Sequence, residues 1–432
     1  MEKRAPVHTI VGHWSPDIEL LFMLYIILTK QEMREKLGVI ESPSLKFIPA
    51  GKLRAVDFPG EVTLDPTVLE LDPTVLEDER GYLFLDCGGG RFDQHVLGEE
   101  YGGNTTSSLE LLMYETGLHD MFPHLEKIIA AIAYNDRSGG EIVARREHED
   151  DALTPHTQRQ LRNMIIGWNM LRLPATVVEF AKIAFGSIEC AIGAHQMQLL
   201  EDDPSGAKLA SDQFDHREFF WCDRIIAAAP KYFAAAHNVH DVEQATLAFK
   251  DLCEKALVRL EQEWLLSERH YWSGATSVQR YAVKDVGSRT VCVGRSLTQR
   301  FSAVARYGNK TPSEGRPERW SADLTIQFGK PGYFSVTTRG GIKLPKIAQA
   351  IREADLAKRG VVVTDELRAT LDRPGNVVAV GVDGEPVEAI FFAIYETCVG
   401  NMFRSNPFAT PTALTEQEIE QIAVRTLGTQ GF

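Results

Sequence analysis

In its first third the chain alternates strand-length apolar segments with helix-length ones, and this restricts the available folds more than any other feature. "VHTIVG" begins at Val7 and reads as a short buried strand; an apolar run of helix length follows from Ile18 to Lys30. "LKFIPA" and "GYLFLDC" read as further buried strands, the second ending at Asp86. "SSLELLMYETG" and "PHLEKIIAAIAYND" carry helical spacing, with Ser107 and Pro123 near their starts. Strands separated by helices predict an α/β domain on a mainly parallel sheet with helices on both faces.

Further along the pattern changes. Long segments with apolar residues at helical spacing predict a helical connecting region over 151–270, which leaves 1–150 for the first domain. A smaller second α/β domain is expected over 271–405, followed by a tail over 406–432 with one helix. In that second domain "TVCVGRS", "FSAVARYG", "ADLTIQFG" and "YFSVTTRGG" read as strands and "KLPKIAQAIREADLAKRG" as a helix. The heptad LDPTVLE occurs twice in succession, at 64–70 and 71–77. Two copies are too few for a repeat architecture, so they read as a local duplication in a connecting loop or short helix.

Lysine and arginine number 46 against 60 aspartates and glutamates, a net charge of -14. That balance opposes a long duplex DNA footprint. Short or single-stranded nucleic acid stays compatible, because bound divalent cations invert the field at an acidic site. The six cysteines are scattered without a Cys-x-x-Cys pair, which argues against a zinc module and gives no disulfide framework. The start lacks an apolar signal core, and the most apolar run, 20–28, is too short to span a bilayer. A cytoplasmic protein with no membrane partner is expected.

Chemistry gathers at the strand ends. "GHWSPDIEL" places His13, Asp17 and Glu19 directly after a strand, where open α/β sheets collect ligands. Imidazole with carboxylates suits Mn, Zn or Fe; carboxylate oxygens suit Mg or Mn. "YLFLDCGGGRFDQH" ends a strand in Asp86, turns through Gly88, Gly89 and Gly90, and then offers Asp93 and His95. Asp86 reaches the same crevice as the first triplet if the two strands are neighbours. The glycines permit positive φ, serving either a tight turn or close approach of a phosphate. "AIAYNDRSGG" adds Asp136 at the end of a helical segment, with Arg137 beside it.

In order and spacing these four segments resemble the DHH phosphoesterase superfamily, which includes RecJ-type exonucleases, nanoRNases and family II inorganic pyrophosphatases. Its order is His-x-x-x-Asp-x-Asp, a strand ending in Asp, Asp-His-His and a later Asp. Here it reads His13, Asp17 and Glu19, then Asp86, then Asp93-Gln94-His95, then Asp136. "NTTSSLELLMYETGL" looks like the Ser/Thr-rich helix start that follows Asp-His-His in the family. "DCGGGRFDQH" and the helical middle look more specifically like the Myg-type hydrolases. "ADLTIQFGKPGYFSVTTRGGIKLPKIAQAI" is similar to the family's substrate-binding domain, with Arg339 at the position of its arginine. The usual Gly-Gly-Gly-His loop is missing; "READLAKRG" stands in its place. Glu19 replaces an Asp, and Gln94 replaces a ligating His with a weaker neutral amide.

The resemblance implies a DHH-type catalytic domain that hydrolyses phosphodiesters with two Mn2+ or Mg2+ ions. His13, Asp17 and Asp136 would hold one ion, Glu19 and Gln94 the other, and Asp86 would bridge them. His95 would contact phosphoryl oxygens as charge develops, Asp93 would orient its neighbours, and Arg137, Arg339, Gly88 and Gly89 would meet the substrate. The expected activity is 3'-to-5' exonucleolytic, on single-stranded or short nucleic acid. The alternatives are hydrolysis of a small nucleotide or pyrophosphate compound, or a degenerate module that binds a nucleotide or partner without catalysis. A homodimer suits such a fold, though the sequence supplies no interface signature. Other features carry no chemistry. "GNKT" lacks P-loop spacing, "RREHED" reads as a solvated boundary, and His216, His237 and His240 are expected to lack convergent partners. Trp168 and Trp221 read as core; Trp14 either packs on the first helix or stacks on a base.

Overall fold

A computed structural model describes residues 4–49, 53, 57–58, 71–93, 106–137, 159–236, 238–283, 287–298, 300–307, 321–338, 342–372, 378–390, 393–394, 398–402 and 410–429. The fold is mixed α/β and divides into two compact units, 1–261 and 262–432.

The first unit holds a three-stranded parallel sheet in the order β2-β1-β3, built from β1 (Val7–His13), β2 (Val39–Ile48) and β3 (Tyr82–Phe84). The strand in the middle comes first in sequence, and the two that follow lie on opposite sides of it. This is the arrangement that opens a crevice at the carboxyl ends of the strands. Helix α1 (Ile18–Thr29) follows β1 and is apolar on nearly every face, with 18–27 all buried. A helix of that kind belongs in the middle of a core. Phe22 meets Phe185 edge to face, with ring centroids 5.2 Å apart.

Phe185 lies on α7 (Pro174–Asp202), one of the helices of the middle region, with α6 (Leu161–Leu171), α8 (Cys222–Ala235) and α9 (Val242–Trp272). Ahead of them in the chain come α2 (Gln31–Leu37), α3 (Pro73–Arg80), α4 (Ser108–Thr116) and α5 (Glu126–Arg137). Residues of the middle region up to Ala256 share one hydrophobic core with β1 and α1. The expected boundary near 150 therefore does not divide the core, and the division between units falls inside α9. Trp168 and Trp221 are buried, as read from the sequence.

The second unit carries a six-stranded sheet in the order β10-β11-β7-β6-β5-β4. Its strands are β4 (Ser277–Val283), β5 (Gly287–Arg295), β6 (Leu324–Phe328), β7 (Phe334–Thr338), β10 (Ala393–Ile394) and β11 (Cys398–Gly400). A two-stranded ribbon, β8 (Val378–Val380) with β9 (Pro386–Glu388), lies between β7 and β10 in sequence. Among the described strands of this sheet only β5 and β6 run parallel. The parallel pair needs a crossover, and this corrects one expectation: "FSAVARYG" is helix α10 (Phe301–Tyr307), not a strand. Its buried residues Phe301, Val304 and Ala305 recur at helical spacing. Leu324, Ile326, Phe334 and Val336 share a core with α11 (Leu344–Lys358) and with α12 (Glu416–Thr429), the helix expected in the tail.

Candidate metal centre

The register of the sheet assembles the site. Val11 on β1 pairs with Phe84 on β3, so residues two steps further along, His13 and Asp86, emerge side by side at the carboxyl ends of neighbouring strands. His13 Nε2 lies 3.2 Å from Asp86 Oδ2, with both side chains almost fully buried. Asp17 joins them from the amino end of α1, where its Oδ1 caps the helix by accepting the Leu20 N–H at 3.0 Å. Donor atoms of His13, Asp17 and Asp86 lie within 4.8 Å of one another, the one such group among the described residues.

Asp86 is held in an unusual backbone conformation, φ 53°, the one non-glycine residue with positive φ among those described. Aspartate tolerates this better than most residues, but a strained position persists only where its surroundings over-determine it. The Asp86 N–H donates to the Phe92 carbonyl at 2.9 Å. Its Oδ1 accepts the Ser108 hydroxyl at 3.1 Å. Ser108 opens α4, whose start is fixed by a reciprocal capping box between Ser107 and Glu110. The sequence signals that helix start, but not that Ser108 points at Asp86.

Gly88 and Gly89 both have φ near 75°, and a Cβ on Gly88 would lie 2.4 Å from Leu53 Cδ2. The positive φ at both glycines is what the tight turn requires. The buried Asp93 closes the turn by accepting the Gly89 N–H at 2.9 Å.

Glu19 stands apart from the triplet. It is fully buried, its Oε1 accepts the Leu109 N–H at 2.8 Å, and its Oε2 is buried without a hydrogen-bond partner. His13 Nδ1 is likewise buried and unpartnered. Asp136, near the end of α5, lies in the same electrostatic field as Asp86, Asp17 and His13. Gln94, His95, His237 and Arg339 lie outside the described residues, as do the first LDPTVLE copy and the Arg137 side chain.

Among the described residues around His13, carboxylates outnumber cations. Burial, followed by the charge of Asp86, pushes the Asp17 and Asp136 carboxyls above their ordinary range, with His13 the main opposing charge. Burial and then Asp136, Asp86 and Asp17 push Glu19 well above its ordinary value. Burial would lower the His13 pKa, yet hydrogen bonding and attraction from Asp86 raise it overall. Carboxylates crowded around one imidazole, with orphaned buried donor atoms, form a set that a divalent cation fits.

Elsewhere, His216 corrects the expectation that it lacks partners. Its Nε2 lies 3.6 Å from Asp212 Oδ2, which His195 Nε2 approaches at 3.1 Å and Lys127 Nζ at 3.8 Å. Trp14, next to His13 in sequence, is 46% exposed. No helix among the described residues is long and apolar enough to cross a membrane. Comparison with protein families, curated proteins and solved structures finds no match to this chain.

Proposed function

We propose that this chain is a Mn2+- or Mg2+-dependent phosphodiester hydrolase of the DHH type, acting as a 3'-to-5' exonuclease on single-stranded or short nucleic acid. The observation that carries the reading is the convergence of His13, Asp17 and Asp86 from a strand end, a helix start and a strained turn. That triplet takes its residues in the order of the motifs the sequence resembles.

His13, Asp17, Asp86 and Asp136 are the groups to hold an ion; Glu19, with its unpartnered Oε2, and Gln94 supply further donors. When bound, such ions activate water and clamp oxygens at phosphorus. The protein's own part is positioning. The capped start of α4 fixes Ser108, Ser108 fixes one oxygen of Asp86, and the other oxygen faces His13. His95 is assigned to the phosphoryl oxygens, with Arg137, Arg339, Gly88 and Gly89 as substrate contacts.

The net charge of -14 favours a second reading, in which the substrate is a small nucleotide or pyrophosphate compound. Gln94 in place of a ligating histidine favours a third, a nucleotide-binding module without catalysis. One assay separates them: 5'-labelled single-stranded RNA and DNA with Mn2+, Mg2+ or EDTA, beside Asp86→Asn and a nucleotide panel. A metal-dependent ladder lost in the variant supports the exonuclease. Cleavage of small compounds alone supports the second reading. Activity that appears only in Gln94→His supports the third.

A further inference from the structure

We infer that Glu77, at the end of the second LDPTVLE copy, is a positioning residue that clasps the turn presenting Asp86. The inference rests on the proposed metal site for its functional meaning, but the clasp itself is a matter of contacts.

Among the described strands β3 lies at the edge of its sheet. The Leu85 N–H donates inward to Val11 of β1, so the neighbouring Phe84 N–H points away from the ladder, where a further strand would lie. An unpaired donor there has to be covered. Glu77 covers it: its Oε1 accepts the Phe84 N–H at 3.3 Å, in a side chain only 8% exposed. The same oxygen lies 3.0 Å from the place a Cβ on Gly90 would occupy. One carboxylate therefore meets the turn at its entry, Phe84, and accepts from the Arg91 backbone N–H at its exit.

Arg91 extends the contact. Its Nε lies 4.0 Å from Glu77 Oε2 and its Nη1 2.6 Å from Glu115 Oε1, while its guanidinium sits 4.8 Å over the Phe92 ring. Just inside the entry and just past the exit, Leu85 bridges to Phe92 and the Asp86 N–H donates to the Phe92 carbonyl. Asp86 thus takes its strained φ inside a loop tied at both ends. The rest of the heptad builds the platform. Asp72 caps α3 through the Thr74 N–H at 2.8 Å, Pro73 opens the helix, and Leu76 packs with Val11, Phe58 and Phe84.

The test uses the full-length chain. Amide hydrogen exchange over 82–93 is measured without metal, and Mn2+ binding by calorimetry, for the wild type, Glu77→Gln and Glu77→Leu. Glu77→Leu is expected to speed exchange at least about tenfold and weaken Mn2+ binding by about 10–100-fold, the loss typical of groups that orient ligands. Glu77→Gln keeps an oxygen for the Phe84 N–H and is expected to stay within about threefold of wild type on both. Unchanged exchange and affinity in Glu77→Leu overturn the inference. Should Glu77→Leu not fold, Arg91→Met reads the outer end of the clasp, with a loss of about 3–10-fold expected and none overturning it. A wild type that binds no Mn2+ defeats the metal reading alone, because the exchange comparison still decides the clasp.

Discussion

Replacing Asp86 by Asn tests the charge argument with a sign that ordinary damage does not produce. Asparagine is nearly isosteric and accepts positive φ readily, so the backbone at φ 53° is not penalised. It also keeps an oxygen for the Ser108 hydroxyl. What changes is the charge. Carboxylate oxygens of Asp17 and Asp86 lie within 4.8 Å, so full ionisation costs at least about 3.5 kcal/mol at an effective dielectric of about 20. Partial protonation, solvent access at Asp17 and the lost attraction to His13 reduce this. In EDTA at pH 8, Asp86→Asn is expected to be more stable than wild type by about 1–3 kcal/mol in urea unfolding. With Mn2+ at a hundred times its Kd, wild type should gain about 2.7 kcal/mol and the variant little. A variant less stable than wild type in EDTA by more than about 1 kcal/mol would refute the crowding argument. A variant with the full Mn2+ response would remove Asp86 from the ligand set.

Three further outcomes follow from the same contacts. Gly88→Ala forces a side chain into φ 75° and against Leu53, and is expected to cost about 2–4 kcal/mol in urea unfolding. Without metal, the raised carboxyls of Asp17, Glu19 and Asp136 bind protons in the folded state that the unfolded chain releases. Stability should therefore fall as pH rises above the ordinary carboxylate range, and Mn2+ should flatten that fall in thermal melts. Glu189 behaves in the opposite sense: burial alone would raise it, but hydrogen bonds from His124, Lys30 and Tyr25 hold it at about 2. Its contribution, roughly 2–3 kcal/mol after discounting solvent exposure, is present above its unfolded value and lost as pH falls toward 2. Glu189→Gln should shrink that acid limb.

Much of the site was legible because strand ends are. An apolar run that stops at a histidine or an aspartate announces both the element and the polar residue it delivers, and parallel pairing of β1 with β3 does the rest. Residues whose role depends on a distant element were not legible. Ser108 reads as an ordinary helix start, and nothing local says that its hydroxyl meets Asp86. Glu19 reads as one of a ligand triplet, yet one of its oxygens is taken by the start of α4. Glu77 ends a duplicated heptad that reads as a connecting loop or short helix, and nothing local says that it accepts the outward N–H of Phe84. "FSAVARYG" reads as one of a run of strands, while its buried positions recur at helical spacing.

Charge balance separates the proposed metal centre from two other polar clusters in this unit, those around Glu189 and Asp212. Glu189 sits among Lys30, His124 and Tyr25, and its carboxyl is held down at about 2. Asp212 receives His195, with His216 and Lys127 close by, and is also lowered. Each of these carboxylates already has its cations and donors, so its geometry is complete as it stands. At the strand ends the direction reverses: Asp17, Glu19 and Asp136 are all raised, and His13 is the largest positive influence on the two aspartates. Histidine and carboxylate occur in all these places, so residue type alone does not mark a metal site. Convergence does: His13, Asp17 and Asp86 bring donor atoms within 4.8 Å of one another where burial raises the carboxyls, and a bound divalent ion would oppose that shift.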